Sequence, residues 1–142
     1  MIMELAPLSS GDRDIPKLIE IHRDSAVAKY ISLSENYFEY VTGTKGVVYY
    51  KIIEDGETVG GIHGEFSGDT LYLSICVAAD HRRRGIAETA LRQLFTLAVD
   101  QVNTVEVSID ETNAPSIRLF QKMGFVPIGK EDELLLYRLT FS

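Results

Sequence analysis

The sequence predicts a single-domain α/β protein, a mixed sheet with helices on both faces, and three observations carry that expectation. The centre of the chain is rich in β-branched and aromatic residues and is broken by turn residues at Asp55-Gly56 and Ser67-Gly68-Asp69, which marks an antiparallel meander. The stretch Thr70–Ile109 reads strand, helix, strand, and such a unit closes as a right-handed parallel crossover. At 142 residues, with no internal repeat, low-complexity tract or Pro/Gly-rich linker, residues 1–142 fit one domain.

Each element has its own warrant. Met3–Pro7 is a short first strand. Asp12 or Asp14 caps a helix whose first turn holds Pro16, a favoured early position, and Leu18, Ile19, Ile21, His22 and Ala26 continue at helical spacing. Ser34 with Glu35 opens a second short helix through about Val41, ended by Gly43 and Gly46. Val47–Glu54, Thr58–Phe66 and Thr70–Val77 are the meander strands, the first two joined by an Asp-Gly hairpin turn. A helix over about Gly85–Val99 places Ala87, Ala90, Leu91, Leu94 and Ala98 on one stripe. Val105–Ile109 is a strand, and Asn113–Met123 is a helix ended by Gly124. Val126–Ile128 and Leu134–Phe141 close the chain as strands. The order is β-α-α-β-β-β-α-β-α-β-β.

Charge and cysteine content narrow the function. A net charge of −7 argues against general nucleic-acid binding, which needs basic surface to neutralise phosphates. One cysteine excludes an internal disulfide and fits a reducing compartment. No start resembles a signal peptide and no apolar run approaches the ~20 residues of a membrane span, so the expectation is a cytoplasmic protein without a membrane partner.

Basic charge is concentrated in Arg82-Arg83-Arg84, ahead of Gly85 and the helix that Gly85 opens. A helix N-terminus carries about half a unit of positive charge and has backbone N–H groups without partners, so arginines there are misplaced on electrostatic grounds. No Ser, Thr, Asn or Asp immediately precedes the helix to cap it. An anion docked at that point satisfies the N–H groups and the arginines together. The plain alternative is a solvated basic face, and a nucleic-acid module built on Arg82–Arg84 is disfavoured by the total charge.

Arg82-Arg83-Arg84-Gly85-Ile86-Ala87 matches the signature Arg/Gln-x-x-Gly-x-Gly/Ala, and Val77 ends a strand five residues before it. A second signature, Asn followed by a helix ending in Lys-x-Gly-Phe, appears as Asn113 and Lys122-Met123-Gly124-Phe125. In these motifs and in its element order the chain resembles the GNAT superfamily of acyl-CoA N-acyltransferases. The resemblance implies that acetyl-CoA is the cosubstrate. Its pyrophosphate is expected on backbone N–H groups of Arg83 to Glu88, Arg84, Gly85, Ile86 and Ala87 among them, with the arginine side chains reaching phosphate oxygens. Main-chain groups of Ile75, Cys76 and Val77 would pair with pantetheine as an added strand, and Asn113 and Lys122 would approach from the other side. Asn113 is also a helix cap, and Lys122 also a dipole-compensating lysine. The family commonly dimerises, which leaves a homodimer open.

The chain departs from the family where protons move. The tyrosine that many relatives use as general acid is Phe120, which can pack on pantetheine but gives no proton. Ser116, one turn earlier, is the substitute, or an ordinary capping-region serine. Positions that hold a base in several relatives are Leu71 and Leu73. The neighbouring strand offers His63 and Glu65, two apart and so on one face, with solvent-facing polar residues as the plain alternative. Cys76 reads as a small buried hydrophobe rather than a nucleophile, His81 as a loop residue near a phosphate, and no metal-ligand spacing is present. Tyr30, Tyr37, Phe38 and Tyr40 line the acceptor site or belong to the core. The sequence thus implies an N-acetyltransferase acting on a primary amine by direct attack; the competing reading is a CoA-binding regulatory or non-catalytic protein of the same fold.

Overall fold

The computed structural model describes residues 2–24, 33–81 and 85–141. In chain order the elements are β1 (Met3–Pro7), α1 (Ile15–Arg23), α2 (Tyr37–Gly43), β2 (Val47–Glu54), β3 (Glu57–Ser67), β4 (Thr70–Val77), a 3₁₀ turn at Ala79–His81, α3 (Ile86–Ala98), β5 (Thr104–Asp110), α4 (Ala114–Lys122), β6 (Val126–Glu131) and β7 (Leu134–Thr140). The strands form one sheet in the order β1-β2-β3-β4-β5-β7-β6. Every neighbouring pair is antiparallel except β4 and β5, which the α3 crossover makes parallel. This is the expected mixed sheet.

The local chemistry explains the boundaries. Asp55 and Gly56 both take positive φ (50° and 83°), as a type I′ hairpin requires, and this fixes β2 against β3. The second helix begins at Tyr37 rather than Ser34, with Asn36 at its N-cap. Neither aspartate caps α1 in the expected way. Asp14 occupies the cap position without a side-chain cap bond, because its carboxylate accepts from Lys51 Nζ at 2.8 Å. Asp12 takes the Asp14 N–H at 2.9 Å and the same ammonium at 3.2 Å. The Lys51 side chain is only 12% exposed, and a cation that poorly solvated needs both counter-charges. Burial raises the Asp12 pKa, but the Asp14 N–H and the Lys51 ammonium outweigh it and hold the carboxyl below its ordinary value.

Each face of the sheet buries a separate core. Leu71, Leu73 and Val77 of β4 join Ile52, Val59 and Ile62 beneath Ile86, Ala90, Leu91 and Leu94 of α3. Ile86 is buried and Ala87 half-buried, so the stripe on α3 begins one residue earlier than the spacing suggests. On the opposite face, Leu18 and Ile21 of α1 and Tyr37, Phe38 and Val41 of α2 pack with Tyr49 and Cys76. Two glycines permit close packing here: a Cβ at Gly61 would collide with the Tyr49 ring of this second core, and one at Gly60 with the Cys76 carbonyl oxygen of the neighbouring strand.

His22 is enclosed in that core. Its ring lies 5.4 Å from Tyr37 and 5.7 Å from Phe38 between centroids, and Nε2 is 2.9 Å from Tyr49 Oη. Burial, with the nearby His63 charge second, pushes its pKa down to about 4. Ala26, expected further along the same helix, lies outside the described residues.

The pairing of β4 with β5 is the feature that matters for function. Register covers Thr70↔Thr104, Leu71↔Val105 and Tyr72↔Glu106 and stops there. Both strands run on, to Val77 and Asp110, so they diverge toward their C-terminal ends.

Two outcomes follow from this packing. Gly60→Ala should destabilise the protein by on the order of 1–3 kcal/mol, and an unchanged urea midpoint would show that β3 and β4 are not packed as described. His22 takes a proton less readily folded than unfolded, so its contribution is intact above about pH 6.5 and is lost as pH falls toward about 4. At ~1.4 kcal/mol per pH unit that window costs about 3 kcal/mol. Unfolding free energies across the window should decline accordingly, and His22→Leu should flatten the decline.

Candidate active site

The mouth between β4 and β5 is bordered by the start of α3. Gly85 at the N-cap takes φ +74° and ψ +10°, a left-handed conformation natural to glycine, and no side chain caps the helix. The first intrahelical bond runs from Thr89 N–H to the Gly85 carbonyl at 3.0 Å. The preceding N–H groups of the first turn have no partner within the helix by geometry. Among the described residues no atom lies within 4 Å of a Cβ built on Gly85, so they leave the space beside it open. Arg82, Arg83 and Arg84 lie outside the described residues. The turn leading to them is anchored: His81 Nδ1 sits 3.1 Å from the buried carboxylate of Glu54. His81 is therefore tied to the end of β2, where the sequence suggested only a loop residue near a phosphate.

The residues expected on either side of a cofactor are bridged to each other. Lys122 Nζ, at the end of α4, is 2.8 Å from Glu88 Oε1 in the first turn of α3. Arg92 Nε donates to Glu88 Oε2 at 3.1 Å. These two cations, Lys122 foremost, keep the Glu88 carboxyl below its ordinary range. Asn113 Oδ1 accepts the Ser116 N–H at 3.4 Å, so Asn113 does cap α4. Ser116 is half-buried in that first turn, and the structure does not bring it into the hydrogen-bonded chain of His63 and Glu65. Phe120 is only 3% exposed and packs edge-on against Phe125, centroids 5.0 Å apart. Along β4 the side chains of Ile75 and Val77 pack toward α3, and Cys76 lies on the α1–α2 side with Sγ 3.5 Å from His22 Nε2. All three side chains thus belong to the packing of the two cores.

His63 and Glu65 do share one face of β3, and the structure joins them. His63 Nε2 is 2.8 Å from Glu65 Oε2. His63 Nδ1 is 2.8 Å from Tyr37 Oη. Tyr40 Oη donates to Glu65 Oε1 at 2.9 Å. An ionised carboxylate only accepts, so Nε2 carries the imidazole proton and Nδ1 accepts from the Tyr37 hydroxyl; this tautomer is inferred from the network. The result is a directed chain, Tyr37 to His63 to Glu65, met at the carboxylate by Tyr40. Burial, then the charges of Cys76 and Glu65, raises the Tyr37 pKa, and the Glu65 hydrogen bond raises that of Tyr40. Sequence reasoning left Tyr37 and Tyr40 undecided between core and acceptor site. Their i, i+3 spacing on a helix, which puts both hydroxyls on one face, was the available signal. Tyr30 lies outside the described residues.

A cleft of about 380 Å³ opens beside this chain, lined by His63, Glu65, Ser67, Tyr72 and Ser74 among others. The lining comes from β3 and β4, and it includes Tyr72, the last residue of β4 in register with β5, and Ser74 just beyond. Among the described residues no group of three or more His, Cys, Asp or Glu side chains is placed to share a metal ion. No described helix is long and apolar enough to cross a membrane.

The fold has many solved counterparts. The ribosomal-protein-S18-alanine N-acetyltransferase from Escherichia coli superimposes with a TM-score of 0.81 at 19% identity, over 99% of this chain and 95% of that one. PaiA N-acetyltransferase from Thermoplasma acidophilum, solved with coenzyme A, gives 0.81 at 16% identity, over 99% and 100%. Aminoglycoside acetyltransferase AAC(6')-Ib, also solved with coenzyme A, gives 0.82 at 17% identity, over 98% and 95%. No curated protein is significantly similar to the chain in sequence. The profile of the Acetyltransferase (GNAT) family matches residues 15–125, which takes in both signatures, the diverging strands and the crossover helix. The chain belongs to that family, the GNAT acyl-CoA-dependent acetyltransferases.

Proposed function

We propose that the protein transfers the acetyl group of acetyl-CoA to a primary amine by direct attack of the neutral amine on the thioester. The observation that carries this reading is the divergence of β4 from β5 after Tyr72, directly before the uncapped N-terminus of α3. A slot between strands suits an extended pantetheine arm alongside Ile75, Cys76 and Val77. An uncapped helix start with open space at Gly85 suits a pyrophosphate, with Arg82, Arg83 and Arg84 beside it in sequence. Ile86, Ala87 and Glu88 would contribute backbone N–H groups. Asn113 and Lys122 would approach from α4, and Phe120 would support that wall from the core behind it.

In the reaction the amine nitrogen bonds to the thioester carbon and the C–S bond breaks. CoA leaves as a thiolate and collects a proton. A thiol with an ordinary pKa near 8.5 leaves without full protonation, so Phe120 in place of an acid is tolerable. A backbone N–H of β4 at the Ser74–Ile75 end of the slot would stabilise the oxyanion, and holding the amine beside the thioester would supply much of the acceleration. The amine proton would pass to ordered water or to His63 and Glu65, which share a network; Ser116 is the weaker candidate for returning one. Two of the relatives are named for an alanine of ribosomal protein S18 and for aminoglycosides, which supports an amine as the acceptor class without choosing one.

A second reading, a CoA-binding protein without catalysis, draws on Leu71, Leu73 and Phe120, which all belong to the buried core at positions where relatives move protons. Titration with acetyl-CoA followed by an amine panel separates the two. Catalysis predicts thiol release with at least one amine, whereas tight binding without release across the panel supports the second reading. Gly85→Val should lower acetyl-CoA affinity by at least about tenfold, or ~1.4 kcal/mol, because a branched side chain strains φ +74° and fills the open space. Calorimetry on the folded variant tests this, and unchanged affinity removes the phosphate seat.

A further inference from the structure

We propose that the acceptor carries a second positive charge besides the amine that is acetylated, and that Glu65 with Tyr40 and Tyr72 seats that charge. The proposal rests on the acetyl-transfer reading above and names the substrate class for the same site. Its starting point is the 380 Å³ cleft over β3 and β4, which takes in Tyr72 and Ser74, the β4 residues on either side of the end of the β5 pairing; an acceptor in it would approach a thioester held along β4 from the α1–α2 face. Among the described residues lining it, Glu65 is the one carboxylate, and there is no lysine or arginine.

Glu65 is held in place rather than left as a loose surface acid. Tyr40 Oη and His63 Nε2 bind separate carboxylate oxygens at 2.9 and 2.8 Å, while the side chain stays 43% exposed. An ionised carboxylate offers about four acceptor sites, so about two are left after those bonds. Tyr72 stands directly opposite Glu65 in the β3–β4 register, and Tyr40 and Tyr72 are 42% and 46% exposed. A fixed carboxylate flanked by exposed aromatic rings is a seat for an ammonium group, by ion pairing and by attraction to the ring faces.

The strand pleat sets a length. His63 pairs with Ser74, where the strands part, and Glu65 pairs with Tyr72 one pleat repeat away. That repeat is about 6.7 Å, twice the rise per residue. A nitrogen attacked near Ser74 and a cation seated at Glu65 are therefore separated by a short alkyl spacer. Acceptors with a carboxylate in that place, such as free amino acids, meet like charge instead. The net charge of −7 also favours arrival of a dication.

The experiment is steady-state thiol release from acetyl-CoA with α,ω-diamines of increasing spacer, alkyl monoamines of matched length, and ω-amino acids of matched length. The expected result is a diamine preference in kcat/KM of at least about tenfold over the matched monoamine, strongest at a short spacer and reduced by salt. Glu65→Gln should bring the diamine-to-monoamine ratio to about one, chiefly through the diamine KM, whatever it does to overall rate. A wild-type ratio near one, a preference that survives in Glu65→Gln, or a preference for ω-amino acids overturns the proposal. The salt dependence of the wild-type ratio gives a second reading that needs no variant, and a salt-independent preference counts against ion pairing at Glu65. Acetyl-CoA binding without thiol release for any amine is a different outcome: it overturns the transfer reading itself, and this proposal with it.

Discussion

The short parallel joint between β4 and β5 is the constraint on which the rest of the molecule depends. Each strand is secured over its full length on its other side, β4 by β3 and β5 by β7, both antiparallel. The two blocks meet through three register pairs, reinforced where Thr70 Oγ1 lies 2.8 Å from Thr104 Oγ1. Sheet twist accumulates between adjacent strands, so a joint held at one end opens at the other. The opening falls at the carboxyl ends of the strands, where α/β architectures hold their ligands. The α3 crossover spans the joint and begins beside the opening, bringing the positive end of a helix to its rim. The fold and the proposed ligand seat thus share one cause.

The two faces of the sheet divide the remaining work. Beneath α3 and α4 the packing is mainly aliphatic and phenyl, with Tyr137 among it, and Phe120 belongs there, packed against Phe125. Beneath α1 and α2 the packing is aromatic and polar, with His22 enclosed and Tyr37 linking that interior to His63 and Glu65 at the cleft. A hydrogen-bonded chain in a poorly solvated setting is ordered by the need to satisfy every polar atom. That need favours the proton on His63 Nε2 and holds the Glu65 carboxylate in a fixed orientation. Lys51 with Asp12 and Asp14 does comparable work for the entry to α1, turning two would-be cap residues into counter-ions.

Much of this was legible in the residues, for identifiable reasons. Strand and turn chemistry is local, so Asp55-Gly56 and the strands around it could be placed to within a residue. The proposed phosphate seat rests in sequence on a conflict between charge and helix polarity at Arg82–Arg84; what the structure adds is that Gly85 takes a left-handed turn where α3 opens. Pairings that depend on distant residues could not be read this way. Nothing near Asp14 in sequence points to Lys51, and nothing near His81 points to Glu54. His63 and Glu65 stood out by their spacing, but their partners Tyr37 and Tyr40 come from a helix some 25 residues earlier. Phe120 depends likewise on a distant partner: its burial against Phe125 is a packing fact that its place in the motif does not display.

The claim that CoA enters the parting of β4 and β5 is tested most directly by hydrogen–deuterium exchange with and without CoA, resolved by peptide. The account predicts slower exchange on binding in residues 73–77 and 85–88, with β1 and β2 unchanged. Protection absent from both segments, or appearing only elsewhere while CoA is bound, would contradict it.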